Sequence, residues 1–165
     1  MNPPAKLSDL IDVLLMDSPE HVTRFDRQTG QVVSVERSIL SAVEEGREDG
    51  LTQVPDWQKN EVQLAHALCE DLGERFLRPP DKFDFHEYRH MERFIATLSG
   101  AGAADQLWRA IKGKGAFRYF KDTLHRLGMQ EEWYRYRDAA MKQFIIGWAE
   151  ANNVLYEDDT AGRRF

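Results

Sequence analysis

Along most of this chain apolar residues return every three or four positions, the spacing of one helical face, and only one stretch alternates as a strand does. Leu7, Leu10, Ile11, Leu14 and Leu15 define a first helix running to about Met16, with Ser8 as its cap and Asp17-Ser18-Pro19 as its stop. From His21 to Val35 the pattern becomes a hairpin. Val22 to Phe25 is one strand, Asp26 to Gly30 a turn in which glycine is free to take positive φ, and Val32 to Val35 the second strand. Two strands alone are marginal in water, so helices must cover one face of this ribbon.

Helical spacing resumes over Glu36 to Glu45, and the charged, glycine-containing stretch from Gly46 to Pro55 reads as a loop. Asp56 then caps a helix with the stripe Trp57, Leu64, Ala65, Leu68 and Leu72, and Gly73 lies just past its end. Arg75 to Asp81 is a connector, extended at Pro79-Pro80. Asp84 and Glu87 are spaced as a capping box, opening a helix with Tyr88, Met91, Ile95 and Leu98 on its inner face; Ser99 to Gly102 interrupts it. A shorter helix with Leu107, Trp108 and Ile111 ends at Gly113-Lys114-Gly115, and the next carries Phe117, Phe120, Leu124 and Leu127 before Gly128. From Gln130 to Ala151, Trp133, Tyr136, Ala140, Met141, Phe144, Ile145 and Trp148 cover so much of one circumference that this helix belongs at the centre of the core. The expected fold is helix-dominated α+β, one domain over residues 1–156. It has a small antiparallel hairpin on six or seven helices, Val154-Leu155-Tyr156 as an available third strand, and a flexible polar tail over 157–165.

Composition narrows the class. With 165 residues, 42% of them hydrophobic, and nine Phe and four Trp, the chain has core material for one domain that disordered segments lack. The only cysteine, Cys69, excludes an internal disulfide framework and fits a reducing compartment. Met1 to Lys6 lacks the basic start and apolar run of a secretory signal. Nothing approaches the roughly 18 apolar residues of a membrane span, so a cytoplasmic location without a membrane partner is expected. Net charge is −6, which opposes indiscriminate attraction to nucleic acid or anionic lipid. Yet from Trp108 to Leu127 the chain carries Arg109, Lys112, Lys114, Arg118, Lys121 and Arg126 against Asp122 alone, a local balance of +5 that leaves −11 to the remainder.

Four groups of residues invite chemistry. His86-Glu87-Tyr88-Arg89-His90 spells H-E-x-x-H, in which two histidines one turn apart share a zinc and the glutamate activates its water. Helical phase sets His86 and His90 opposite the apolar stripe, Glu87 already serves the cap, and Ala96 stands where a longer zinc signature has its third histidine. Exposed helix histidines explain the string better than a zinc hydrolase, and neither a metal nor a cofactor is expected. Gly113-Lys114-Gly115 follows a helix rather than a strand, so it is a tight turn and not a nucleotide loop. The helix after it offers Lys112, Lys114, Arg118, Lys121, His125 and Arg126, with Tyr119 able to stack on a base. Cys69, beside an apolar stripe and three residues from His66, reads as a buried thiol rather than a nucleophile. In Trp133-Tyr134-Arg135-Tyr136-Arg137 the phase turns Trp133 and Tyr136 inward and leaves the arginines to reach acids.

The run Gly113 to Asp122, with Glu132-Trp133-Tyr134 and Arg137-Asp138, resembles a bacterial group known as uncharacterised protein family number 158, whose members share a G-[KR]-G-A-F-x-x-F-K-D block. Phe25-Asp26-Arg27, Thr29-Gly30 and the Met91 to Leu98 helix are similar to it as well, so the resemblance spans most of residues 7 to 156. Tyr119 stands where that family commonly has a second basic residue, and His86 and His90 where acidic or aliphatic residues are expected. The resemblance implies no activity, substrate or cofactor. The expectation is a non-enzymatic binding or adaptor domain that meets a protein partner through Lys112 to Arg126. Nucleic acid on the same surface is the first alternative, and zinc-dependent hydrolysis at the H-E-x-x-H string the second.

Overall fold

The computed structural model describes residues 1–16, 18–51 and 53–165. Among them, seven helices of eight residues or more and one single-turn helix surround two small sheets, which makes the fold α+β and helix-dominated. Helix α1 (Leu7–Leu15) follows strand β1 (Ala5–Lys6) directly, and Lys6, its N-cap, makes no side-chain cap bond. Ser8 is not the cap; it is buried in the first turn. Its backbone N–H donates to Asp159 Oδ1 at 2.9 Å and its hydroxyl to Asp159 Oδ2. A carboxylate from the far end of the chain thus satisfies donors that the helix leaves open and meets the positive end of its dipole. The stop expected at Asp17 lies outside the described residues.

Strands β2 (His21–Asp26) and β3 (Gln31–Glu36) form the expected hairpin, with His21 opposite Glu36 and Asp26 opposite Gln31. Gly30 closes the turn at φ 72°, its N–H bonded to the Asp26 carbonyl at 2.8 Å. The third strand comes from elsewhere than expected. Phe76–Leu77, β4, lies inside the presumed connector and joins the other edge of β2. Buried Asp26 accepts from Arg75 Nε and Nη2, both at 2.9 Å, while Asp71 accepts from the backbone N–H groups of Arg75 and Phe76. These two carboxylates hold the residue pair that starts β4. The segment Val154 to Tyr156 does not extend the hairpin: Val154 fills the core beside α1, and Tyr156–Glu157, β5, pairs in parallel with β1.

Helices α2 (Arg37–Glu44) and α3 (Asp56–Glu70) pack on β3 through Val35, Ile39, Val43 and Ala65. Asp56 is the first helical residue and not the cap, which is Pro55. Trp57 and Leu72, expected on the inner stripe, are 69% and 94% exposed, because the apolar cluster reaches only Val62, Leu64, Ala65 and Leu68 and the helix ends before Leu72. The expected loop before α3 contains one short 3₁₀ turn, Asp49–Leu51, and Thr52 lies outside the described residues.

The capping box is displaced. Asp81 accepts from the N–H groups of Phe83 and Asp84, and Asp84 accepts from the N–H of Asp81, so the box opens the one-turn helix α4 (Lys82–Phe85). His86 then takes a left-handed conformation, φ 54° and ψ 63°, and α5 (Glu87–Ala96) starts anew. Glu87 serves no cap; its carboxylate sits 2.9 Å from Arg137 Nε in a geometry that leaves this nitrogen without an aligned acceptor. The inner face of α5 is Met91, Phe94 and Ile95, and Tyr88 points outward with its hydroxyl donating to the Ile111 carbonyl at 3.0 Å. Helices α6 (Ala101–Ala110), α7 (Ala116–Leu127) and α8 (Gln130–Ala151) complete the body. Trp133 of α8 lies in one core with α5, α6 and α7, while Met141, Ile145 and Ala149 lie in another with α1, which makes α8 the central helix. The closing residues, expected as a loose tail, lie against this body. Asp158 pairs with Lys142, Arg163 with Asp12 and Arg164 with Glu131, and Phe165 packs at the edge of the α1 core. No helix among the described residues is long and apolar enough to cross a membrane.

Candidate functional site

Two glycines shape the turn before α7: Gly113 at φ 83° and Gly115 at φ 76°. Gly115 is the N-cap, its carbonyl accepting from the Tyr119 N–H at 2.9 Å, and the Tyr119 ring lies so close that a Cβ there would come within 3.0 Å of it. At the other end Gly128, at φ 67°, donates to the His125 carbonyl, and Met129 donates to that of Leu124. This is the paired bonding of a Schellman stop. Between them Ala116, Phe120, Thr123 and Leu124 face the core. All six candidate binding residues, Lys112, Lys114, Arg118, Lys121, His125 and Arg126, are exposed, as is Arg109.

Among the described residues the cations do not fold back on the acidic remainder: Arg118 meets Asp122 at 3.9 Å across one turn, and Arg126 donates to Gln106 at 3.1 Å. Both contacts are solvent-screened and worth little. Phe117, expected inside, is 49% exposed and stands beside this surface; Tyr119 is 51% exposed. At 100° per residue the two aromatics lie about 160° apart around the axis, on opposite flanks of the charged face. Periodicity missed Phe117 because it differs by only about 20° in phase from buried Leu124.

The H-E-x-x-H string does not form one helical face. His86 sits at the break before α5 and is exposed, whereas His90 is half-buried and not on the solvated face, its ring stacked on Phe85 at 4.2 Å and 13°. Burial first, and the charge of Arg93 next, hold the proton affinity of His90 below its ordinary range. Both histidines, with Arg89, Arg93, Tyr136 and Gln143, line an open cleft of about 610 Å³ between α5 and α8. No group of three His, Cys, Asp or Glu among the described residues is placed to hold a metal ion.

Cys69 is exposed, not buried: it lies within about 40° of Ala65 in phase, but it sits in the last turn of α3, past the end of the cluster. Partial burial and the carboxylates of Glu44, Glu70 and Glu48 raise its thiol pKa, which works against a nucleophilic thiolate. His66 faces Glu48 at 3.3 Å. In the Trp133 to Arg137 strip Trp133 is buried, Tyr136 half-buried, Arg137 meets Glu87 and Arg135 is exposed.

The molecule is thus a helix-dominated α+β domain with an exposed cationic helix and its glycine turn as the most distinct surface. Residues 51–160, well over half of the chain, match the family described as Uncharacterised protein family (UPF0158), and the chain belongs to it. The matched range holds the Gly113 to Asp122 block and α8, and begins after the hairpin. No curated protein and no solved structure matches the chain.

Proposed function

We propose that this protein is a non-enzymatic cytoplasmic binding domain whose contact surface is α7 with the turn Lys112 to Gly115, and that its partner is a protein with an acidic face. The observation that supports this reading is the exposure of Lys112, Lys114, Arg118, Lys121, His125 and Arg126 with Phe117 beside them. Arginine and exposed aromatic side chains are the groups that dominate binding energy at protein interfaces, and a cationic surround steers an acidic partner toward them. A second reading, nucleic acid on the same face, is favoured by the number of Lys and Arg residues against the single Asp122.

One experiment separates them. A photo-crosslinking amino acid is placed at Phe117 or Lys121, with exposed Gln63 on α3 as the control position. Adducts formed at both test positions, destroyed by protease, resistant to nuclease and lost with Arg118→Glu are the expected result. Nuclease-sensitive adducts would transfer the function to nucleic acid. Adducts no stronger than those at Gln63 would remove α7 as a contact surface.

A further inference from the structure

Away from α7, a cleft of about 500 Å³ opens between the hairpin, the start of α2 and the segment that follows β4. Three arginines from three elements converge on it: Arg24 from β2, Arg37 from the first turn of α2 and Arg78 just after β4. Arg24 is half-buried, and among the described residues no carboxylate pairs with it; Nη1 donates to the Thr23 carbonyl at 2.8 Å. Arg37 Nε likewise donates to a carbonyl, that of Pro19, at 3.1 Å. Arg78 alone reaches acids, Asp81 at 2.8 Å and Asp84 at 3.6 Å. Among the described residues Asp81 is the one carboxylate lining the cleft, and it already accepts from Arg78 and from two backbone N–H groups of α4.

Positive charge therefore accumulates around the cleft, on half-buried Arg24 and on exposed Arg37 and Arg78, and among the described residues the Asp81 carboxylate offsets only part of it. Burial, then the charges of Arg78 and Arg37, lower the proton affinity of Arg24, although a guanidinium stays protonated regardless. Like charges gathered in this way repel one another in the empty protein, and an anion that enters relieves the repulsion. Guanidinium forks match the oxygen spacing of phosphate, and several of them can share one phosphate chain. The rest of the lining mixes apolar residues such as Val13, Val22 and Phe83 with the polar Ser18, His21 and Lys82, and the volume suits a small molecule rather than a polymer.

We infer that this cleft is a binding site for a small phosphate-bearing molecule, held by Arg24, Arg37 and Arg78. It is separate from the α7 surface and does not depend on it. The test is isothermal titration of the whole protein with pyrophosphate, orthophosphate and a sugar monophosphate, together with thermal shifts. Saturable one-to-one binding of pyrophosphate is expected, at least about tenfold tighter than orthophosphate because more guanidinium contacts form. Arg24→Met weakens it by about tenfold or more, as does Arg37→Gln, a variant on a different element that keeps the test open if the first folds poorly. Arg118→Gln on α7 leaves it unchanged. A sugar monophosphate that binds more tightly than pyrophosphate identifies an organic ester as the ligand; the reverse order identifies an inorganic one. No binding at millimolar pyrophosphate, or affinity unchanged in both Arg24→Met and Arg37→Gln, overturns the site.

Discussion

At Gly30 two demands fall on one residue. Its φ is +72°, and a Cβ would sit 2.8 Å from the Pro4 carbonyl oxygen and 2.9 Å from that of Pro3. Gly46 has nearly the same φ, +69°, with open space around it. Gly46→Ala should therefore cost about 1 kcal/mol, the left-handed penalty alone. Gly30→Ala should cost about 1 to 3 kcal/mol more, because the N-terminal segment must move, and urea titration of the two variants shows the difference. Asp26 carries a second residue-scale constraint. Burial by itself raises its pKa, but Arg75 and the Gln28 N–H together bring it below the usual carboxylate range. A depressed carboxylate contributes stability that is present above its unfolded pKa and lost as pH falls through the folded value, so this contribution disappears below about pH 4. Asp26→Asn should cost about 2 kcal/mol at neutral pH, below the fully buried case because Arg75 is 35% exposed, and should flatten the acid limb of stability against pH.

Among the elements, α7 shows how one helix serves the core and the solvent together. Phe120 meets Trp133 edge to face at 4.9 Å and Phe94 at 6.4 Å, whereas Phe117 points outward. Phe120→Ala should cost about 3 to 5 kcal/mol and Phe117→Ala no more than about 0.5 kcal/mol, read from denaturation midpoints. If Phe117→Ala proved as costly, its side chain would be structural and the proposed contact surface would shrink. The junction of α4 and α5 is tuned by His90. Its folded pKa is depressed, so the unfolded chain binds the proton more readily and stability falls as pH drops below about 6.5. His90→Gln should remove that part of the pH dependence while leaving the limb below pH 4 in place.

For the whole molecule, the chain ends matter more than their polar composition suggests. Asp159 caps α1, Asp158 pairs with Lys142 on α8, and β5 joins β1, so residues 156 to 163 tie the first helix to the last. Ending the chain after Glu157 should lower stability by about 2 kcal/mol, roughly a lost helix cap together with lost packing, and calorimetry of the shortened protein measures it. Lys142 and Thr160 bring the Asp158 carboxyl down to about 2, so its anchor is present above pH 4 and is released as pH falls toward 2.

Local pattern alone determined much of this protein. The helical stripes of α1, α5, α7 and α8, the hairpin turn at Gly30, the glycines that bound α7 at Gly115 and Gly128, and the polar face of α7 all depend on residues within a few positions of one another. Tertiary structure decided the rest, because periodicity gives an angle around an axis but not whether a neighbour lies there. That is why Trp57, Phe117 and Cys69 are exposed despite their phase, and why His90 is half-buried. Strand partners followed the same logic: Phe76–Leu77 won the edge of β2 through the Asp26 and Asp71 carboxylates, and β5 found β1 at the other end of the chain. The convergence of Arg24, Arg37 and Arg78 was likewise invisible along the chain, since only folding brings charges so far apart in sequence into one space where their repulsion has meaning.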